Sequence, residues 1–206
     1  MIEVSNLSFL NKIKYPDFNI ENGTLTLLCG PSGAGKTSLL KILNGTADRS
    51  SGKVIIESKD LDDYDSKELR RLVVLSSQNV FLFPGTIEYN FNKFYEYREQ
   101  IPITNDEKKK FLELCKVDFP LDKDVDKMSG GEKQRIFLSI CISFRSGILF
   151  LDEPTSGLDT YNAEEFVKNL KSFLIQENMT VIAVSHDINL FSKYADKVID
   201  LEKKNE

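Results

Sequence analysis

Eight consecutive residues constrain this chain more than any other feature. Gly30-Pro31-Ser32-Gly33-Ala34-Gly35-Lys36-Thr37 fits the pattern G-x-x-x-x-G-K-[ST], which functions only at the joint between a strand and a helix. The surroundings suit it. The run Thr24–Cys29 reads as a strand bounded by Gly23 and Gly30, and Leu39, Leu40, Ile42 and Leu43 follow at positions for the buried side of a helix. Glycines without Cβ atoms let the backbone wrap closely around phosphate with its N–H groups turned inward. The helix start adds partial positive charge. Lys36 is placed to reach the β- and γ-phosphates of a nucleotide and the Thr37 hydroxyl to ligate Mg²⁺. Gly30, Pro31, Ser32, Gly33, Ala34, Gly35, Lys36, Thr37 and the adjoining Ser38 form the nucleotide-binding set. A random chain of this length would match the pattern only about 1% of the time at average composition.

Composition sets the frame around that loop. With 206 residues, 41% of them hydrophobic and 29% charged, the sequence is globular and long enough to bury a core. It is read as a single domain over 1–206. Lys and Arg number 27 against 32 Asp and Glu, a net charge of -5, which disfavours nucleic acid as the main partner because phosphate backbones select basic surfaces. Cys29, Cys115 and Cys141 are few, odd in number and far apart, so neither a disulfide framework nor a zinc knot is expected. Buried thiols in a reducing compartment are. Met1-Ile2-Glu3-Val4 has no basic-then-apolar leader pattern, and no apolar run reaches the roughly 18–20 residues that span a bilayer.

Strand-like and helix-like segments alternate along the chain. Ile2–Val4, Leu7–Phe9, Lys53–Glu57, Leu72–Leu75, Ile148–Leu151 and Val181–Val184 read as strands. The last two are almost wholly apolar, as in parallel sheets covered on both faces. Ile136, Phe137, Ile140, Cys141 and Phe144 recur at helical spacing, as do Phe166, Val167, Leu170, Phe173 and Leu174. Together they predict an α/β fold with a mainly parallel sheet. The stretch from about Phe81 to Lys127 loses the strand rhythm and reads as a helical insertion, in which Lys108-Lys109-Lys110 is expected to be a solvated helix face.

Two further positions carry chemistry. Ile148-Leu149-Phe150-Leu151-Asp152-Glu153 is an apolar strand ending in two carboxylates. At a strand's end beside a phosphate loop, Asp152 can hold Mg²⁺ through water, and Glu153 can accept a proton from an attacking water. His186, the single histidine, follows Val181-Ile182-Ala183-Val184 and so is expected at the same sheet edge, facing the γ-phosphate.

Met128-Ser129-Gly130-Gly131-Glu132-Lys133-Gln134-Arg135 resembles the signature motif of the ATP-binding-cassette (ABC) ATPases. The other elements of that family follow in order over nearly the whole chain. Gln78 resembles the Q-loop glutamine, Ser156-Gly157-Leu158-Asp159 the D-loop, and Ser185-His186-Asp187 the switch-histidine segment. The resemblance implies a P-loop NTPase fold with an N-terminal antiparallel β subdomain and a helical subdomain over about 81–147 that carries the signature. It implies ATP and Mg²⁺ as ligands, with Thr37, Gln78 and Asp152 at the metal and Glu153, His186 and Lys36 in catalysis. It further implies that Ser129, Gly130, Gly131, Glu132 and Asp159 serve the nucleotide of a second, head-to-tail cassette. A helix start at Ser129 is itself an anion site, and two such sites in one chain suit a sandwiched dimer. Family members usually carry an aromatic that stacks on adenine; here that place falls on Asn11, and neither Phe9 nor Tyr15 is assigned to the role.

The function so implied is the ATPase subunit of a transporter, acting through separate transmembrane permease subunits, with a second identical or different cassette. The chain is expected in the cytoplasm on the inner face of the cell membrane, touching the membrane only through its partners. Phe81-Leu82-Phe83-Pro84-Gly85-Thr86-Ile87, after Gln78, is the candidate docking stretch. The alternatives are a non-transport ABC ATPase working on DNA or ribosomes and a regulatory nucleotide-sensing module. Long coiled-coil insertions and a second cassette, which mark the former, are missing from this sequence, and intact Glu153 and His186 speak against the latter.

Overall fold

A computed structural model describes residues 1–202. The N-terminal portion contains β1 (Ile2–Phe9), β2 (Ile13–Lys14) and β3 (Phe18–Ile20), followed by β4 (Leu25–Cys29) and α1 (Lys36–Leu43). Next come β5 (Ser51–Ile56), β6 (Lys59–Asp60), α2 (Ser66–Leu72) and β7 (Val73–Ser76). Helices α3 (Ile87–Tyr97), α4 (Asn105–Leu114) and α5 (Gly130–Ser143) lead to β8 (Ile148–Asp152). The chain finishes with α6 (Thr160–Gln176), β9 (Thr180–Val184), α7 (Ile188–Ser192) and β10 (Lys197–Asp200).

Among the described residues two five-stranded sheets result. In the central one the order is β10-β4-β9-β8-β7 and every pairing is parallel. Every residue of β4, β8 and β9 is buried, which their uninterrupted apolar runs require. Alternate side chains divide between two cores, as a period of two dictates. Leu149 and Leu151 face the cluster built with α5 and α6, whereas Ile148 and Phe150 face the cluster shared with α1 and the second sheet.

The second sheet is antiparallel, ordered β2-β1-β5-β6 with β3 also paired to β1. The two N-terminal strands expected from sequence are one strand, irregular between Ser5 and Ser8. Gly52 makes this possible: at φ +94° it approaches β1 so closely that a Cβ would lie 2.4 Å from the Leu7 Cα. P-loop fold, parallel sheet and antiparallel sheet therefore agree with the expectation.

One expectation fails. Lys108 is not solvated; it is 2% exposed, and its Nζ donates to Asn92 Oδ1 at 2.7 Å and Asn105 Oδ1 at 3.0 Å. Lys109 and Lys110 are exposed as anticipated. Lys108 shares a face with Phe111 and Leu112, three and four residues on, both buried, and packing carries its stem inward. The three cysteines are buried and form no disulfide.

Candidate nucleotide site

Parallel strands deliver their following loops to one edge of the sheet, and neighbouring strands set those loops side by side. After β4 comes the phosphate loop, after β9 comes His186, after β8 comes Glu153, and after β7 comes Gln78. They meet around a cavity of about 300 Å³ lined by Ser32, Gly33, Gly35, Lys36, Thr37, Ser38, Gln78, Asp152, Glu153 and His186, with Ile13 and Val184 as its apolar wall. Gln78, Glu153 and His186 also border an adjoining cavity of about 320 Å³ that reaches Ser156 and Asp187. The larger cavity of about 560 Å³ lies elsewhere, beside Arg49, Asp62 and Tyr64. There Arg49 is already engaged by both Asp62 carboxylate oxygens and the Gly52 carbonyl, which leaves the cavity on the phosphate loop as the candidate nucleotide site.

Local conformation explains the placement. Gly35 caps α1 in the left-handed region at φ +85°, which a side chain adopts only at a penalty. From beneath, Tyr15 donates its hydroxyl to the Gly35 carbonyl at 3.0 Å, and burial pushes its phenol up to about 12. Inside the loop Lys36 Nζ donates to the carbonyls of Gly30 (2.7 Å) and Pro31 (2.9 Å). Thr37 Oγ1 donates to Asp152 Oδ1 at 3.2 Å. Burial raises the Asp152 carboxyl, with the Thr37 bond opposing the shift.

Glu153 occupies a rarer conformation, φ +55°. Its N–H donates to the Val184 carbonyl at 2.9 Å, and its Oε2 accepts from the His186 N–H at 3.1 Å. His186 Nε2 stands 3.4 Å from Glu153 Oε1, on a side chain 77% exposed. A carboxylate and an imidazole thus share the mouth of the cavity. Hard oxygens from Thr37 and Asp152 suit Mg²⁺. Among the described residues no group of three or more His, Cys, Asp or Glu is arranged to hold a metal ion, and Mg²⁺ is ordinarily bound by one or two protein oxygens with water and substrate phosphate supplying the rest.

Ser129, Gly130, Gly131, Glu132 and Asp159 do not line this cavity. Ser129 is the N-cap of α5 in a reciprocal capping box: its Oγ accepts from the Glu132 N–H at 3.3 Å while Glu132 Oε2 accepts from the Ser129 N–H at 2.7 Å. Asp159 caps α6 through Asn162. Sequence reasoning missed Ile13, whose side chain lies against Gly35, because nothing local marks a lone isoleucine in a two-residue strand. Phe9 packs against the core and Tyr15 under the loop.

The family model described as ABC transporter matches residues 13–156, which include the phosphate loop, Gln78, the Ser129 segment and Glu153. The chain belongs to the ABC transporter family. It is an ATP-binding cassette and, as a member of that family, an ATPase. This cassette is 32% identical to the petrobactin import ATP-binding protein YclP of Bacillus subtilis (strain 168), over 98% of its own length and 83% of that protein's. Its fold matches the dimeric, post-hydrolysis ATP-binding cassette MJ0796 bound to ADP and Pi with a TM-score of 0.82 at 23% identity, covering 98% of this chain and 94% of that one. It also matches cbiO1 from Clostridium perfringens, part of the ABC transporter complex cbiONQ, with a TM-score of 0.78 at 26% identity over 97% and 84%.

Proposed function

We propose that this cassette powers a transporter whose membrane-spanning parts are separate subunits, and that it does so as a head-to-tail pair of cassettes. One observation carries the reading. The hydrolytic residues gather at one sheet edge, while the α5 start at Ser129, a second anion-binding terminus, is outside that cavity. A second cassette turned head to tail would give that terminus a phosphate to hold.

Within the site, the loop amides and Lys36 bind the β- and γ-phosphates of ATP. Glu153 takes a proton from the attacking water as the terminal phosphoryl–oxygen bond breaks, releasing ADP and phosphate, and His186 orients that water. Thr37, Asp152 and Gln78 would hold Mg²⁺, which when bound neutralises charge on the phosphate oxygens. Ser129, Gly130, Gly131, Glu132 and Asp159 serve the opposite nucleotide. The chain acts as one domain, with its segment of about 81–147 as the helical part.

No helix among the described residues is long and apolar enough to cross a membrane. On this reading translocation is the work of partner subunits, with the cassette on the cytoplasmic face of the membrane. The docking surface is aromatic: Phe81 is 61% exposed and meets the Phe83 ring edge-on at 4.9 Å, while Phe83 stacks on Tyr97 at 5.6 Å. Exposed aromatic clusters mark interaction surfaces. Relatives named for petrobactin import and for a multi-subunit transporter complex support the assignment. Replacement of Glu153 by Gln tests it. ATP binding persists, turnover stops and an ATP-loaded dimer accumulates on gel filtration; unchanged turnover removes Glu153 from its role, and a strictly monomeric ATP-loaded variant removes the paired arrangement.

A further inference from the structure

The side chain of Gln134 is tied to the backbone of Glu153. Gln134 lies in the second turn of α5, 9% exposed, and its Nε2 donates to the Glu153 carbonyl at 3.0 Å. The same oxygen accepts from the Ser156 N–H at 3.1 Å. On the other side of the residue, the Glu153 N–H is held by Val184. Both peptide groups that flank Glu153 are therefore clamped. Clamping has a reason: a glutamate at φ +55° sits in a region that disfavours side-chain-bearing residues and persists only where surroundings enforce it. Pro154 follows and brings no N–H to hold the turn, which leaves the carbonyl as the available handle.

From this we infer that Gln134 is a positioning residue for Glu153. Its carboxamide holds the left-handed turn that aims the glutamate's carboxylate at His186 and the cavity. The inference rests on the reading of Glu153 as the base, and adds a route within the chain. α5 begins at the Ser129 anion terminus, and the loop beyond Glu153 packs on that same start, a Cβ on Gly157 falling 3.9 Å from the Gly131 Cα. Movement of α5 when its first turn engages a partner's phosphate therefore reaches Glu153 through Gln134. One helix both reads the opposite nucleotide and sets the geometry of its own chain's base.

Gln134→Met tests this, because methionine fills a similar volume without a donor. Turnover should fall at least about tenfold with KM for ATP within about twofold, the signature of an interaction that matters in the transition state alone. A second readout reports the bond itself. Glu153-Pro154 is the single Glu-Pro pair in the sequence, so carbonyl-¹³C glutamate combined with ¹⁵N proline isolates one coupled NMR signal, that of the Glu153 carbonyl. It should move in the variant. Turnover within about twofold of the parent, or a loss of turnover with that signal unmoved, overturns the inference. Gln134→Glu, of the same length and unable to donate when ionised, repeats both measurements if the methionine variant folds poorly. Glu153→Gln measured in parallel separates the two failures: a dead Glu153→Gln beside a fully active Gln134→Met sinks the positioning role alone, whereas an active Glu153→Gln sinks the base assignment.

Discussion

Replacement of Gly35 by Ala tests how the second sheet supports the phosphate loop. A Cβ at residue 35 would lie 2.7 Å from Tyr15 Oη and 3.1 and 3.2 Å from two Ile13 carbons. The isoleucine can yield by a few tenths of an ångström; the buried tyrosine ring is rigid and cannot. Alanine at φ +85° adds a left-handed penalty of about 1–2 kcal/mol. Displacing the hydroxyl breaks its bond to the Gly35 carbonyl and strands a buried polar group, which costs about 1–3 kcal/mol. Together these predict a loss of about 2–5 kcal/mol, or about 5–15 °C in Tm for a chain of this size, with weaker ATP binding because the loop amides move. Differential scanning calorimetry and nucleotide titration give both numbers. The cycle with Tyr15→Phe isolates the collision: without the hydroxyl the alanine loses its obstacle, so the double variant should be less destabilised than the sum by about 1–2 kcal/mol. Additivity within about 0.5 kcal/mol, or an unshifted Tm for Gly35→Ala, refutes the reasoning.

Alkaline stability follows from buried thiol and phenol groups, Tyr15 and Cys141 among them. Burial pushes Tyr15 and Cys141 up to about 12 from ordinary values of 10.0 and 9.0, so the unfolded chain ionises first; stability is whole below pH 9 and declines as pH rises towards 12. Urea midpoints against pH show this, and Tyr15→Phe should remove the part of the decline that begins above pH 10. Lys108→Met should cost about 1–3 kcal/mol in urea titrations, since an apolar residue refills the buried stem but Asn92 Oδ1 loses its donor. Lys108→Glu should cost about 3 kcal/mol or more, because it sets a second carboxylate near Glu88, whose Oε1 lies 3.8 Å from the Lys108 Nζ. Phe81→Asp should leave ATP hydrolysis by the isolated chain within about twofold yet abolish co-purification with a membrane subunit; retained co-purification refutes the aromatic docking surface.

The central sheet was legible wherever burial is complete. β4, β8 and β9 are apolar on both faces, so no register ambiguity arises, and their expected ends fall within one residue of the observed ones. The phosphate loop was legible because its eight residues are contiguous. The shortest and least buried strands were not: β2, β3 and β6 hold two or three residues each, too few for any periodicity, and β10 is only half-buried. Helix α2 carries Lys67, Glu68, Arg70 and Arg71 around a single buried leucine, Leu69, and its Asp65 cap is the sole strong local signal. Lys108 shows a signal present but overridden. Spacing to Phe111 and Leu112 puts it on the inward face, whereas the run of three lysines suggests a solvated one, and packing decided the matter.

The site itself depends on something no linear motif records, the order of strands across the sheet. Along the chain β7 and β8 precede β9, yet in space β9 lies between β4 and β8. That insertion sets His186 between the phosphate loop and Glu153, and it lets Val184 supply the carbonyl that binds the Glu153 N–H. Had β9 paired on the outer side of β7, the same motifs would face one another across several strand widths of about 4.8 Å each, too far for the imidazole to reach the carboxylate. Glycine-rich motifs report which loops can meet phosphate; the crossover reports which of them can act together. Gln134 belongs to the same category, since a buried carboxamide within a charged helical turn looks ordinary until the left-handed Glu153 it holds is in view.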